Sequence, residues 1–305
     1  MKLYQSLDEI PRGERHVITI GTFDGVHLGH RLIITALVRS ARELNARSLV
    51  ITFHPHPQEV LRRTGEPVPI LTTIEERMVE MERAGVDAVA VLPFTRELAN
   101  TPWQEFCELL MEKSGLVHFV VGHDHAFGKN REGNAAAMAG MGARRGFGVT
   151  EIGPLVLGEE AVSSTKIRRA LMSGDIEKAT SYLGRHYSFQ GTVVRGDGRG
   201  RSLGIPTANI RPLEAAKLIP MNGVYCVQLL IDGEKFRGMA NIGVRPTFTE
   251  GITTTIEANL FDFDRDIYEQ VVTIEFLKFV RSEQKFASAA AFMEQLERDR
   301  AVCKE

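Results

Sequence analysis

Two histidines, His27 and His30, end a glycine-rich segment that spans residues 21–30 and reads GTFDGVHLGH. An apolar run at residues 17–20 precedes the segment, and an amphipathic stretch at residues 31–44 follows it. This order predicts a strand, a tight turn and a helix, with both imidazoles on one face of the helix start. Glycines let backbone N–H groups approach a bulky anion, and a helix N-terminus favours negative charge. The segment therefore predicts a site that binds and activates a phosphate.

The segment supplies a first set of candidate residues. His27 and His30 are the candidate catalytic residues, because imidazoles can donate hydrogen bonds to phosphate oxygens. The alternative is that the pair only caps the helix. The candidate nucleotide-binding residues in this segment are Gly21, Phe23, Asp24 and Gly29.

Three further segments of the first half carry polar groups that could join the same site. They are the proline-fixed FHPHP loop at residues 53–57, the stretch at residues 121–131, and the SSTKIRR sequence at residues 163–169. The last combines hydroxyls, cations and a predicted helix N-terminus, each of which favours an anion. A rigid strand exit and a well-capped basic helix are the structural alternatives. The candidate ligands here are His56, Asp124, Ser163, Ser164, Thr165 and Arg168.

A glycine-dense stretch at residues 191–209 is the main feature of the second half. Thr207 and Asn209 stand two residues apart, so in an extended chain they project to the same side. Their side-chain oxygens suit Mg²⁺, which keeps several waters and bridges to substrate phosphates. We predict that both residues bind the metal. The other candidate binding residues in this stretch are Gly191, Arg199 and Gly204.

The residues on either side of Glu257 are typical of a β-strand that packs in a protein core. A buried carboxylate costs free energy unless it is paired or used in chemistry. We therefore predict that Glu257 is buried and serves as a general base.

The elements that must position these residues differ between the two halves. The first half alternates apolar runs with helical patterns, which predicts a doubly wound parallel sheet whose ligand sits beyond the carboxyl ends of the strands. Its predicted strands are residues 17–20, 48–53, 88–92, 119–121 and 149–152.

From residue 188 onward the patterns are those of β-strands, with a hairpin turn at Asp232-Gly233 and one terminal helix capped by Ser288. This predicts a small antiparallel barrel. The buried side of the terminal helix is predicted at Phe292, Met293 and Leu296. The predicted strands are residues 189–194, 224–231, 236–242, 253–261 and 271–280. We place the domains at residues 1–183 and 184–305.

Composition limits the classes of function. The chain has 305 residues, which suggests two domains, and its net charge of −2 gives no electrostatic reason to expect a nucleic-acid partner. The start of the chain lacks a signal-peptide pattern, and no apolar run has the length of about 18–20 residues that a membrane span needs. The three cysteines show no C-x-x-C spacing, so we predict neither a disulfide framework nor a cysteine zinc site, and a cytoplasmic location.

The motifs resemble those of a known family. Residues 21–30 resemble the signature of HIGH-type nucleotidyltransferases. Nearly the whole chain resembles the bacterial bifunctional riboflavin kinase/FAD synthetase family, most specifically in the PTAN sequence at residues 206–209. The other matching segments are residues 53–57, 121–128, 163–168, 191–205, 223–225, 240–248, 256–263 and 285–286.

The resemblance implies two ATP-dependent reactions on flavins, with Thr207 and Asn209 positioning Mg²⁺ on the nucleotide in the C-terminal module. The C-terminal module would phosphorylate riboflavin to FMN, with Glu257 accepting the hydroxyl proton. The N-terminal module would join FMN to the α-phosphorus of ATP, giving FAD and pyrophosphate. There His27 and His30 would stabilise phosphate charge, and Ser164, Thr165 and Arg168 would close over the phosphates. Small molecules are then the expected partners.

The chain also departs from this family. His123 and His125 flank Asp124, where the family commonly has a glutamate and an aromatic residue, and Asn259 stands where a histidine is frequent. Two alternatives stay open. One is that only one module is active. The other is a metal-dependent phosphohydrolase front domain, with Asp24 and Asp124 helping to bind the ion, followed by a barrel that only binds flavin.

Overall fold

A computed structural model describes residues 1–61, 68–196, 205–247 and 251–304. The chain forms two compact units, Met1–Ser164 and Thr165–Glu305. The boundary between these units falls at the start of a helix. It lies some twenty residues before the domain boundary that we predicted between residues 183 and 184. The functional boundary stays a prediction.

The first unit is built on a six-stranded parallel sheet with the order β1-β4-β3-β2-β5-β6. All five strands predicted for this half are present, and a short first strand at the sheet edge was missed. The strands are β1 (Lys2–Tyr4), β2 (His16–Ile20), β3 (Arg47–His54), β4 (Ala88–Pro93), β5 (Leu116–Gly122) and β6 (Gly148–Ile152), followed by a small hairpin, β7 (Val156–Leu157) and β8 (Glu160–Ala161).

Helices cover both faces of this sheet, as the doubly wound fold requires. Neighbouring strand residues point to opposite faces, so Val17 belongs to one apolar cluster and Ile18 to another. The helices are α1 (Leu28–Glu43), α2 (Pro57–Leu61), α3 (Ile74–Arg83), α4 (Arg96–Asn100), α5 (Trp103–Ser114) and α6 (Ala135–Arg145). After them come α7 (Ser164–Met172) and α8 (Ile176–Leu183).

Local sequence determines where these helices begin. Thr73 and Glu76 form a complete capping box at α3, in which each side chain accepts from the other's backbone N–H. Pro102 precedes α5 as its N-cap, without a side-chain hydrogen bond to the helix. The apolar side of α5 faces the core, since Trp103 and Leu110 are buried.

The second unit contains a closed barrel with the strand order β10-β13-β12-β11-β14-β9. Asp232 and Gly233 both have positive φ and join β11 to β12 in the predicted hairpin. The short strand β10 was missed. The strands are β9 (Tyr187–Val194), β10 (Ala208–Pro212), β11 (Gly223–Ile231), β12 (Glu234–Thr247), β13 (Gly251–Leu260) and β14 (Val271–Arg281).

The terminal helix α9 (Ala289–Lys304) packs against β11 and β12. Ser288 caps it, since the Ser288 Oγ accepts from the N–H of Ala291 at 3.2 Å. The predicted buried side of the helix is confirmed in part, because Leu296 packs against the apolar cluster that contains Cys226 and Cys303. The fully buried residues of the helix are Asp299 and Cys303. Phe292, Met293 and Leu296 are only partly buried.

Cys226 on β11 and Cys303 on α9 form a disulfide bond across 77 residues of sequence. The prediction of no disulfide was therefore wrong. Spacing along the chain does not report which elements pack together, and here the barrel brings a strand and the last helix into contact. Cys107 is free and buried in the first unit. Among the described residues, no helix is long and apolar enough to cross a lipid bilayer.

Candidate active sites

The His27 imidazole is the N-cap of α1. Its Nδ1 atom accepts a hydrogen bond from the backbone N–H of His30 at 3.2 Å. Because Nδ1 is the acceptor, the neutral ring carries its proton on Nε2, where it can serve as a donor. A Cβ atom at Gly29 would lie 3.2 Å from both Cε1 and Nδ1 of His27. The glycine therefore leaves room for the capping ring.

The His27 and His30 rings are stacked, with centroids 3.6 Å apart and planes 17° apart. Phe23 meets the His30 ring edge-on at 5.2 Å. His27 is only 5% exposed, whereas His30 is partly exposed. The structure thus brings the two predicted catalytic imidazoles together at a helix N-terminus, where the partial positive charge of the helix favours an anion.

Asp24 is buried, and its carboxylate is occupied by the chain itself. Its oxygens accept from the backbone N–H groups of Leu71 and Thr72 at 2.9 Å and from the Thr72 hydroxyl at 3.3 Å. The Ser164 hydroxyl donates to the Asp24 carbonyl at 2.8 Å. These bonds fix the glycine-rich turn in place. A direct contact between Asp24 and a nucleotide stays a prediction.

Arg77 is a residue of this site that the sequence analysis missed. Arg77 is 2% exposed, and its guanidinium donates to the Thr22 carbonyl at 2.7 Å and to the Thr52 hydroxyl at 3.1 Å. Burial lowers the pKa of Arg77, and the nearby Asp24 carboxylate opposes that shift. The only sequence sign was an arginine within the buried face of α3.

A cavity of about 400 Å³ opens beside the histidine pair. Gly21, Phe23, His30 and Asp124 line it, and the Asp124 side chain is largely exposed to solvent. Most of the remaining wall is apolar. The principal apolar residues of that wall are Phe53, Leu61, Phe94, Leu98, Phe106 and Phe127.

The remaining candidates of the first half lie at element ends. His56 is buried before α2, and its Nδ1 accepts from the N–H of Gln58 at 3.2 Å. Ser163 is partly buried just before α7. Thr165 and Arg168 follow on α7, in the stretch that the contacts group with the second unit. Their contact with a nucleotide stays a prediction.

In the barrel, Glu257 on β13 is paired with Asn209 on β10 and with Asn241 on β12. Residues directly opposite in a sheet project to the same face. This row places one carboxylate between two amides. Glu257 is partly exposed rather than buried, so the prediction of a buried carboxylate was wrong. Its neighbours Ile256 and Ala258 are the buried residues of the strand, because side chains alternate between the two faces.

Glu257 and Thr207 line one cavity of about 320 Å³, and Asn241 and Asn259 line it with them. The Asn259 amide donates to the carbonyl of Pro206 at 2.8 Å, which ties β13 to the segment that carries Thr207. One cavity therefore brings together Glu257 and Thr207, which lie 50 residues apart in sequence, and their roles stay predictions.

One wall of this cavity is held by a buried ion pair that the sequence analysis missed. The Arg281 guanidinium contacts the Asp299 carboxylate of α9 at 3.0 Å and 2.8 Å. The Gln295 amide donates to the same carboxylate at 2.8 Å. Arg281 also lies over the Phe286 ring. Because Asp299 is 1% exposed, this pair anchors the terminal helix beside the site.

The glycine-rich stretch is only partly described. Gly191 lies within β9, where a Cβ would come within 2.7 Å of the Arg211 carbonyl oxygen. Close packing of the neighbouring strand therefore explains why this position is a glycine. A Cβ at Gly196 would clash with the Asn209 amide. Arg195 lies over the Tyr268 ring at 5.0 Å. Arg199 and Gly204 lie outside the described residues, and their roles stay predictions.

Family models match both halves of the chain. A model described as FAD synthetase matches residues 9–166, and one described as riboflavin kinase matches residues 183–305. The chain is similar to proteins described as bifunctional riboflavin kinase/FMN adenylyltransferase. The relative from Listeria monocytogenes is 38% identical over 93% of this chain and 90% of its own length. The relative from Escherichia coli is 36% identical over 100% of this chain and 97% of its own length.

A crystal structure from Streptococcus pneumoniae has the same fold. It is described as a macrolide-efflux protein, is 30% identical, and superposes with a TM-score of 0.91 over 99% of this chain and 98% of its own. The efflux description applies to the Streptococcus pneumoniae protein, and we use that structure here for its fold alone. The similarity over both full lengths confirms the two-unit architecture.

Proposed function

This chain belongs to the family of bifunctional riboflavin kinase/FMN adenylyltransferases, and we propose that residues 1–183 carry the adenylyltransferase and residues 184–305 the kinase. The protein is a bifunctional transferase. It phosphorylates riboflavin to FMN with ATP, and it joins FMN to the AMP moiety of ATP to give FAD and pyrophosphate. The observation that supports the division most directly is that each half has its own match and its own cavity.

In the first unit, an FMN phosphate oxygen attacks the α-phosphorus of ATP, and pyrophosphate leaves. The stacked imidazoles of His27 and His30 stabilise the negative charge that develops on the phosphate oxygens. The N-terminus of α1 adds its partial positive charge. The cavity beside the pair is lined by several aromatic side chains, which suit the face of a flat ring system. Reaction then depends mainly on alignment and charge stabilisation.

In the barrel, Glu257 accepts the proton of the ribityl 5′-hydroxyl as that oxygen attacks the γ-phosphorus of ATP. The carboxylate is partly exposed and lines a cavity with Thr207, so a substrate hydroxyl can reach it. Asn209 and Asn241 lie opposite it on the flanking strands.

The residues of the barrel site fit Mg²⁺. Thr207 and Asn209 provide a hydroxyl and an amide oxygen beside the carboxylate of Glu257, and hard oxygen ligands are those that Mg²⁺ prefers. Among the described residues, no group of three or more His, Cys, Asp or Glu side chains could hold a metal ion. Such a site would leave most of the ion's coordination to waters and nucleotide phosphates. Bound there, Mg²⁺ would neutralise phosphate charge.

No comparison supports the alternative of a phosphohydrolase front domain with a barrel that only binds flavin. We place the enzyme in the cytoplasm. Reducing conditions disfavour disulfides there, so thiol labelling of cells should find a fraction of Cys226 and Cys303 reduced.

A chromatographic time course with riboflavin, ATP and Mg²⁺ tests the function. We expect FMN to appear first and FAD to follow. FMN without FAD would contradict the assignment of the first unit. If neither product forms, FMN is supplied directly, and FAD formed from it would confine the error to the barrel.

A further inference from the structure

Two residues of the glycine-rich turn have backbone conformations that L-amino acids rarely adopt. Phe23 has a φ of 47° and Val26 a φ of 39°, and both side chains are buried. Positive φ is strained for a β-branched residue such as valine. A strained backbone persists only where the surrounding structure holds it in place. Because this turn leads directly into His27, the contacts that hold it also bear on the proposed phosphate site.

The first of these contacts is made at the carbonyl of Thr22, directly before Phe23. The Arg77 guanidinium on α3 donates to this oxygen at 2.7 Å, and the Thr52 hydroxyl on β3 donates to it at 3.2 Å. The same guanidinium nitrogen donates to the Thr52 hydroxyl at 3.1 Å. Arg77 is 2% exposed and Thr52 is fully buried, so bulk water cannot replace these bonds when one of them is removed.

The second group of contacts comes from the segment just before α3. The Asp24 carboxylate accepts from the backbone N–H groups of Leu71 and Thr72 at 2.9 Å. The Gly25 N–H donates to the Thr72 hydroxyl oxygen at 2.8 Å. Arg77 reaches this segment too, since its guanidinium donates to the Thr72 carbonyl at 3.4 Å. Arg77 therefore joins the turn to the segment that holds the rest of the turn.

The turn is connected to the histidine pair by short contacts. The Val26 N–H donates to the Phe23 carbonyl at 3.0 Å, and the Phe23 ring meets the His30 ring edge-on. The next residue, His27, caps α1 through its Nδ1 atom. A shift of the turn therefore displaces both the ring that contacts His30 and the residue that starts the helix.

We propose that Arg77 is a positioning residue for adenylyl transfer, which fixes the glycine-rich turn through the carbonyls of Thr22 and Thr72 and thereby orients the His27 imidazole. With 2% of its surface exposed, Arg77 acts through the turn and not by contact with a substrate. The inference rests on the proposed function of the first unit and on the role proposed there for His27.

The test compares variants of the full chain. Arg77→Met keeps a long side chain and removes every donor, while Arg77→Lys keeps the charge and one donor group. Ser48→Ala is the matched control. Ser48 is also buried in β3, and its hydroxyl donates to the Asp87 carboxylate at 2.7 Å, so its loss removes a buried hydrogen bond that does not involve the turn. Riboflavin kinase activity and the unfolding temperature report whether each variant is folded.

Steady-state FAD synthesis is measured with FMN and ATP varied separately. We expect Arg77→Met to lower kcat between about tenfold and 100-fold, because small misplacements of a catalytic group are costly. Both KM values should change less than about threefold, because the histidine pair acts on charge that develops in the transition state. Arg77→Lys should recover part of kcat, since an ammonium can replace one of the bonds. Ser48→Ala should keep the wild-type kcat even where its unfolding temperature falls.

Nitrogen-15 NMR of the imidazoles detects the orientation of His27 without any assay of activity. In the wild type the Nδ1 atom accepts the cap bond, so the neutral ring should carry its proton on Nε2. Arg77→Met should weaken the cap and shift His27 towards a mixture of the two neutral tautomers. Ser48→Ala should leave the tautomer as in the wild type.

A wild-type kcat or an unchanged His27 tautomer in folded Arg77→Met would overturn the proposal, as would an equal loss of kcat in Ser48→Ala. If Arg77→Met does not fold, Thr52→Val removes only the hydroxyl that contacts both Arg77 and the Thr22 carbonyl. Thr52→Val should also lower kcat for FAD synthesis, and a wild-type value would overturn the proposal. The proposed function fails separately, when the wild type makes no FAD from FMN.

Discussion

The Nδ1 atom of His27 accepts the backbone N–H of His30, and the two imidazole rings are stacked 3.6 Å apart. One side chain therefore starts helix α1 and also stands in the proposed phosphate site. The structure shows the helix cap that the motif could provide, and the catalytic role of His27 stays a prediction. Capping and catalysis can be tested separately, because one substitution of His27 can remove both properties and another can keep the cap alone.

Replacing His27 separates capping from catalysis. His27→Ala should lose the cap, at about 0.5–2 kcal/mol of stability, and also lower FAD synthesis at least about 100-fold. His27→Asn should keep the cap, since asparagine is a strong N-cap, and still lose the activity. Unfolding curves and FMN adenylylation rates check both. FAD synthesis at the wild-type rate in His27→Asn would refute the assigned role, and FMN formation from riboflavin should be unaffected throughout.

Gly29→Ala should impair the same reaction through geometry. The added Cβ would lie 3.2 Å from two atoms of the His27 ring, so the ring must shift. We expect FAD synthesis to fall between about tenfold and 100-fold, because small misplacements of a catalytic group are costly. Gly140→Ala is the matched control. It lies in the exposed part of α6 with its nearest neighbour 3.9 Å away, and it should raise stability by about 0.5–1 kcal/mol without affecting activity.

Glu257→Gln should lower FMN formation by about 10²–10⁴-fold, because the amide cannot accept the hydroxyl proton. FMN adenylylation should continue, and separate assays with riboflavin and with FMN measure the two steps. Glu275→Gln is the control, since Glu275 is a partly exposed barrel glutamate that pairs with Gln228 and Lys235. A kinase rate in Glu257→Gln equal to that of the control would remove Glu257 from the mechanism.

Reduction of the Cys226–Cys303 bond should destabilise the barrel. The bond closes a loop of 77 residues, so its loss should lower the free energy of unfolding by about 2–4 kcal/mol. Denaturant curves with and without dithiothreitol measure the difference. The double variant Cys226→Ser, Cys303→Ser should be insensitive to the reductant. Identical curves for the wild type under both conditions would show that the bond does not support the fold.

Much of the fold and part of the site followed from local sequence. The strand at residues 17–20, the capping box of Thr73 and Glu76, and the hairpin at Asp232 depend on neighbouring residues, because hydrophobic periodicity and turn chemistry act over short distances. The pairing of His27 with His30 is also local, since helical spacing places residues three apart on one face.

Other features depended on contacts between distant segments. The Arg281–Asp299 ion pair, the Cys226–Cys303 bond and the placement of Arg77 under the turn join residues between 18 and 77 positions apart. The closed barrel also set Glu257 opposite Asn209 and left it partly exposed. The sequence by itself determined the family, the two modules and the residues capable of chemistry. Only the tertiary structure decided which of these residues are buried and which side chains they pair with. Burial and pairing depend on which surfaces pack together and not on spacing along the chain.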